Sequence, residues 1–310
     1  MNTFSKNNQN HLPNLLVAGV AKSGTSSLHQ YLSQHSEIFM SKRKEPRFIT
    51  SQVMDFPMGG PKDRKVESWY IKDFESYKNL FSEAKDESIR GESSADTFYF
   101  YEKTIPVIKQ YLGDPKIIII LRNPVSRAFS AYQHLRRDER EHLSFEEALE
   151  VEYQRIRDNY ELIYHYKAVS MYADALTAFL DNFSHVKVVI NEELSDNPHE
   201  NLKEIFNFLG VESEVEVNTA TRYNLSGIPR FRYLHEMLFE GKKFMDYTRP
   251  VARFFFSAKT RKKISRTLME KNLQRTHINE HTKIELIEYF REDIQRTEKI
   301  LNRNLSHWLS

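Results

Sequence analysis

The sequence predicts an α/β protein: three layers, with a central, mostly parallel sheet flanked by helices. Three observations carry this. Short apolar runs at Leu15–Gly19, Lys116–Leu121 and Val186–Ile190 alternate with segments of helical spacing. The run KIIIIL at 116–121 is apolar at consecutive positions, so both of its faces must be covered, as in a parallel sheet. The chain has 310 residues, enough for a large core in one α/β domain.

Taken in order, residues 1–13 are polar and Asn-rich and read as a disordered lead, with residues 14–310 as a single domain. Leu15–Gly19 is the first strand. Leu28, Tyr31 and Leu32 then fall at i, i+3 and i+4 of a helix ending near Gln34. Ile38–Met40 is a short second strand. In SKRKEPRFI, residues 41–49, Pro46 is expected to hold Glu45 extended. Residues 50–66 read as an irregular surface loop, and 68–81 as a helical, aromatic-rich segment. Arg90–Phe100 is a strand end running into a loop, and Lys103–Leu112 a helix stopped by Gly113. After the 116–121 strand, Pro124 opens a helix. Ser144 and Glu147 form a capping box for a helix to Asp158. Met171–Phe183 and Pro198–Leu209 are helices, the second closed by Gly210. Residues 211–230 are extended and irregular. Thr282–Leu301 is a long amphipathic helix, and Trp308 docks on the core.

Composition narrows the function. The net charge is +2, so bulk charge does not point to nucleic acid. There is no cysteine, which excludes a disulfide scaffold and cysteine zinc sites and fits a reducing, cytoplasmic setting. The N-terminus lacks the apolar core of a secretory signal, and no run reaches the roughly 20 apolar residues of a membrane helix. Residues 231–275 mix Lys and Arg with aromatics. They read as a solvated helical excursion whose aromatics pack on the main body; a face for an anionic acceptor or for peripheral membrane contact stays open.

The chemistry concentrates in two strand–loop–helix units. The first is LLVAGVAKSGTSSL, residues 15–28. A strand, a loop of small residues and a helix start aim backbone N–H groups at one spot, which attracts phosphate. Lys22 adds a full charge, Ser23, Thr25, Ser26 and Ser27 add hydroxyls, and Gly24 allows close approach. The nucleotide fingerprint G-x-x-x-x-G-K-[ST] places lysine after the second glycine. Here Lys22 precedes Gly24. The second unit is LRNPVSRAFSAY, with Arg122 at the strand exit and Ser130 eight residues on. An arginine there can fork onto a phosphate, with the serine hydroxyl completing the grip. In a parallel sheet both loops open at the carboxyl edge.

The lysine-first loop resembles the 5′-phosphosulfate loop of sulfotransferases that use 3′-phosphoadenosine 5′-phosphosulfate (PAPS). Arg122, Asn123, Pro124, Arg127, Ser130 and Tyr132 resemble the same family's 3′-phosphate motif, R-[DN]-P-x-x-R-x-x-S-x-[YF]. SKRKEPRFI is similar to the K-E-x-x-F-F stretch of the carbohydrate and heparan-type branch, and RYNLSGIPR to its late cofactor loop. The resemblance implies a P-loop-like fold and PAPS as donor, held by Ala21, Lys22, Ser23, Gly24, Thr25, Ser26, Ser27, Arg122, Ser130, Ser226, Gly227 and Arg230. It also implies Glu45 as catalytic base beside Lys22, with Lys44, Glu92 and Ser93 at the acceptor. Glu92 is expected to hold Lys44 or an acceptor hydroxyl. RGESSADTF departs from the branch's G-E-K-S-P by placing Ser93 where a lysine contacts the acceptor, so the acceptor stays open among glycan, lipid and small-molecule hydroxyls. No metal is called for, because Lys22 and backbone dipoles carry the neutralisation. His29, His134 and His165 read as surface or core histidines. A nucleotide kinase or NTPase and a non-catalytic anion-binding module are the competing classes. The first lacks its GK[ST] order and an acidic strand exit; the second has no use for Glu45 beside Lys44.

Overall fold

The structure is a computed structural model that describes residues 12–220, 228–229, 273–274 and 276–310. Among these, five strands form the main sheet: β1 (Leu15–Gly19), β2 (Ile38–Met40), β3 (Ile89–Ser93), β4 (Lys116–Leu121) and β5 (Val186–Ile190). Their order is β2-β3-β1-β4-β5, and every neighbouring pair is parallel. Leu16 pairs with both Glu92 and Ile117, so β1 lies at the centre. The chain leaves β1 towards β2 and β3 on one side, then crosses to β4 and β5 on the other. That reversal is where an α/β sheet opens a ligand crevice.

The alternation of side chains across β4 explains its unbroken apolar run. Ile117, Ile119 and Leu121 face one core with Leu16, Ala18, Phe98 and Phe179. Ile118 and Ile120 face the other with Leu15, Val17, Leu28 and Phe206. Each fully buried isoleucine contributes about 1.5–3 kcal/mol relative to exposure.

The helix α1 (Thr25–Leu32) follows β1 through the five residues Val20 to Gly24. Then come α2 (Phe48–Ser51), α3 (Asp63–Glu67), α4 (Phe74–Asn79), α5 (Tyr101–Leu112) and α6 (Pro124–Arg137). In α6, Pro124 sits in the first turn and the Asn123 side chain accepts the Ser126 N–H. The Ser144–Glu147 capping box is present, but the helix it opens is interrupted: α7 (Phe145–Glu150) and α8 (Glu152–Arg157) meet at Val151. The remaining helices are α9 (Ala173–Asn182), α10 (Asn191–Asp196), α11 (Pro198–Leu209) and α12 (Glu280–Leu301). The Asp293 carboxylate of α12 accepts the N–H groups of Tyr172 and Ala173 at 2.7 and 3.1 Å, fastening it to the start of α9. Trp308 is fully buried, as expected.

Leu12 is anchored, its carbonyl accepting from Arg90 Nε at 3.2 Å, and residues 1–11 lie outside the described residues. Three expectations are corrected. The 50–66 stretch is not wholly irregular: it includes most of α3, and Met58 and Val66 pack with Tyr70 in a small core of their own. In 68–81 only Phe74–Asn79 is helical. Glu45 is not extended; its φ is +56°, because its N–H bonds Ser93 C=O at 2.9 Å while its carboxylate turns back to the Ala95 N–H. Ser226, Gly227, Arg230 and residues 231–272 lie outside the described residues. Ile228–Pro229 and Leu273–Gln274 pair antiparallel.

Candidate active site

The turn after β1 is built by a few backbone bonds. Val20 N–H reaches Ile120 C=O at 3.0 Å, tying the turn to β4, and Ser23 N–H closes onto Val20 C=O at 3.1 Å. Lys22 and Gly24 both take positive φ, 74° and 102°. At Gly24 this is the conformation a side chain resists, and a Cβ there would stand 2.5 Å from Asn191 Nδ2. Ser27 and Leu28 N–H groups bond Gly24 C=O, and no side chain at the N-cap takes up the first N–H groups of α1.

Two other strand exits grip this turn. Arg122, at the end of β4, donates from Nη1 to Lys22 C=O at 3.1 Å. Asn191, at the end of β5, donates from Nδ2 to Ser23 C=O at 2.8 Å. Behind Arg122, Tyr172 OH donates to its carbonyl at 2.8 Å. Lys22 and Arg122 therefore stand on one side of the molecule.

The exits of β2 and β3 supply the opposite wall. A cavity of about 210 Å³ opens between them, lined by Lys22, Gly24, Thr25 and Ser26 on one side and by Lys44, Glu45, Arg47 and Asp96 on the other. Burial pushes the Lys22 ammonium down to about 7, and the charges of Arg137 and Arg122 push the same way. Burial alone would raise Glu45. Lys44 on Oε1 at 2.5 Å, Arg47 Nε at 3.5 Å and the Ala95 N–H on Oε2 at 3.0 Å outweigh it and bring the carboxyl to about 2.

Behind this pair lies a buried ionic network. Arg47 Nη1 donates to Glu161 Oε1 at 2.9 Å, and Arg140 Nη2 to Glu161 Oε2 at 2.6 Å and also to Asp63. Asp96 Oδ2 accepts from Thr50 Oγ1 at 2.8 Å, while Oδ1 is buried with no hydrogen-bond partner. Burial raises Asp96 to about 6, despite Arg47. Among the described residues no cluster of three or more His, Asp or Glu side chains is arranged to hold a metal.

Residues 13–215 match the model of the sulfotransferase family. This chain belongs to that family. A sulfotransferase from Alicyclobacillus acidocaldarius, seen in a crystal structure, is 32% identical and superposes with a TM-score of 0.76 over 96% of this chain and 99% of that one. The membrane-associated sulfotransferase kil1 of Dictyostelium discoideum is 34% identical over 149 residues, 44% of this chain and 28% of that protein. The bifunctional heparan sulfate N-deacetylase/N-sulfotransferase 4 of Mus musculus is 28% identical over 220 residues, 69% of this chain and 24% of that protein. The chain thus spans about a quarter of these curated relatives' length. It is a transferase of the sulfotransferase class, on a P-loop-like α/β fold.

In this sulfotransferase the expected site residues divide by place. Ala21, Lys22, Gly24, Thr25, Ser26, Lys44 and Glu45 line the one cavity. Ser23 is buried, its Oγ without a partner, and Ser27 lies in the first turn of α1. Arg122 touches the turn from outside the cavity, and Ser130 is buried on α6. Glu92 does not hold Lys44, which is taken by Glu45. It is buried in β3, accepts from Ser94 Oγ at 2.9 Å, and burial raises its carboxyl to about 8. Ser93 does not reach the cavity either: its Oγ meets His29 Nδ1 at 2.9 Å on the α1 side of β3. Arg127 is fully buried and reaches Tyr166 C=O at 3.3 Å.

Four titratable lining residues escaped the sequence reading as site residues: Arg47, Asp96, Glu161 and His134. Arg47 and Asp96 stand inside the quoted segments SKRKEPRFI and RGESSADTF, two and four residues after Glu45 and Glu92, and that nearness was the available signal. Glu161 carries none. His134 accepts Arg137 Nη2 on Nδ1 at 2.5 Å, which places its proton on Nε2 towards Asp138. Burial and the surrounding cations keep the ring neutral, and its one lone pair, on Nδ1, is taken up by Arg137.

Proposed function

We propose that this sulfotransferase takes its sulfuryl group from PAPS and passes it to a hydroxyl of a glycan-like acceptor, with Glu45 receiving the proton. The single observation that carries this is the meeting of Lys22 and Glu45 across one cavity, with Arg122 against the Lys22 carbonyl. The residues suit such a donor. A phosphate-seeking turn lines the cavity, an unpaired buried Ser23 Oγ lies in that turn and a partly buried arginine grips it from outside, and a side chain at Gly24 would meet Asn191 Nδ2 and disturb the turn. The glycan-like acceptor is supported by the heparan-type motifs and by the heparan sulfate relatives.

Bound PAPS would supply the sulfuryl group and a phosphate leaving group. Lys22 and the N–H groups at the start of α1 neutralise the charge that grows on the leaving oxygen. Arg122, with Ser130, orients the nucleotide and takes no part in bond breaking. Glu45 is ionised throughout the physiological range, so it can accept the acceptor's proton. With a carboxyl held near 2 it is a weak base, and the proton moves late, once the new sulfur–oxygen bond has made the hydroxyl acidic. Lys44 holds Glu45 charged in the meantime.

Thermal shift tests the donor: adenosine 3′,5′-bisphosphate should raise the melting temperature, and stabilisation by ATP plus magnesium alone overturns the reading. Glu45→Gln should leave bisphosphate affinity within about twofold and lower turnover by about 10²-fold or more. Unchanged turnover removes Glu45 from the role. Arg122→Ala should weaken adenosine 3′,5′-bisphosphate far more than 5′-AMP.

A further inference from the structure

We infer that Glu161 is a positioning residue for the transfer step: it draws Arg47 off Glu45, and so keeps Glu45 Oε2 open to the acceptor's proton. This rests on the sulfuryl-transfer reading above, with Glu45 as the group that receives the proton. The evidence is in how Arg47 divides its donors. Its backbone is fixed, the N–H bonding Ser94 Oγ at 3.0 Å, so the side chain is the part that can change partners. Nη1 donates to Glu161 Oε1 at 2.9 Å and to Tyr70 OH at 3.1 Å, and the guanidinium lies 5.1 Å from the centre of the Tyr70 ring. Nε stands 3.5 Å from Glu45 Oε2, beyond the usual length of an N–H···O bond. Two carboxylates compete for one guanidinium, and Glu161 holds the hydrogen bond.

Glu161 wins because it is itself held. Its N–H donates to Asp63 Oδ2 at 2.8 Å, and its Oε2 accepts from Arg140 Nη2 at 2.6 Å. Arg140 is fixed in turn by Asp63 and by Pro61 C=O, the latter at 3.1 Å from Nε. The Glu161 side chain is 4% exposed and that of Glu45 26%, so the pull on Arg47 is less screened on the Glu161 side. Glu45 borders the cavity, where an acceptor can reach it. Its Oε1 accepts from Lys44 and its Oε2 from the Ala95 N–H, and each carboxylate oxygen has lone pairs for about two bonds. Arg47 closing onto Oε2 would take up the second and make a weak base weaker. None of these contacts involves the β1–α1 turn or Arg122, so donor binding should not change.

The test uses the full chain, labelled PAPS and four acceptors: heparosan, unsulfated chondroitin, maltotriose and methyl β-galactoside. The one that the wild type sulfates fastest serves throughout. Glu161→Gln should lower kcat about tenfold and leave the KM for PAPS within about twofold. Added to Glu45→Gln, the same change should alter kcat by less than about twofold, because Glu161 acts only through Glu45. A merely structural role would cost the same in both backgrounds, and that result overturns the inference. So does an unchanged kcat in a folded Glu161→Gln, or a KM for PAPS that rises as kcat falls. If Glu161→Gln does not fold, Tyr70→Phe carries the test, since it removes the other acceptor on Arg47 Nη1 and keeps the ring. Its kcat should fall about threefold with Glu45 present and stay level with Glu45→Gln, and no fall overturns the inference. Unchanged turnover in Glu45→Gln alone, or no acceptor sulfated while bisphosphate still binds, instead brings down the reading beneath it.

Discussion

Lys22 shows how burial can convert a lysine into a proton-linked anion receptor. Its ammonium sits near 7 because it is desolvated with Arg137 and Arg122 close by. A bound phosphate restores the favour of the charged form. Just above pH 7, binding of adenosine 3′,5′-bisphosphate should therefore take up a fraction of a proton, and affinity should fall as pH rises further. Calorimetry in two buffers of different ionisation heat measures this, and Lys22→Ala should abolish the uptake. Glu92 works in the opposite sense on stability. Its folded value, about 8, lies above the ordinary 4.5, so it favours the fold below 4.5 and that contribution is lost as pH rises through 8. Glu92→Gln should flatten the decline in melting temperature across that window. The wild-type and variant profiles would coincide in slope if Glu92 were ionised in the fold.

At the scale of elements, the turn between β1 and α1 depends on Gly24. An alanine there keeps a φ of +102° only under strain and drives its Cβ towards Asn191 Nδ2. Gly24→Ala should cost about 1–2 kcal/mol in stability and about tenfold in bisphosphate affinity, and adding Asn191→Ala should recover part of the affinity by clearing the clash. A titration of the two variants decides it. Strands, the β1–α1 turn and the Pro124 helix start were legible because each is specified by neighbours in sequence: apolar runs, a glycine, a proline. Two elements were not. Val151 interrupts the helix expected over 144–158, where Glu152 turns inward to accept Lys167 and Ala168 N–H groups at 2.8–2.9 Å. Glu45 leaves the extended region that Pro46 favours, because three partners hold its backbone and carboxylate elsewhere.

The whole molecule brings together what no local pattern could. Arg47, Asp96 and Glu161 come from separate parts of the chain; the segments carrying Arg47 and Asp96 meet because β2 and β3 are neighbours in the sheet, an order that hydropathy does not encode. Trp308 is a second long-range contact. It packs edge-on against Tyr172 at 6.2 Å, and its carbonyl accepts from Asn123 Nδ2 at 3.4 Å, so it backs the Arg122 exit. Trp308→Ala should lower stability by about 3–5 kcal/mol, read by urea unfolding, and should weaken bisphosphate binding in the protein that remains folded. The bonds from Arg122 and Asn191 to the carbonyls of Lys22 and Ser23 have a kinetic meaning as well. They set the mould before any guest arrives, so little ordering is left to be done on encounter. Association should run at a rate set by diffusion and charge, with tightness tuned through how slowly the guest departs.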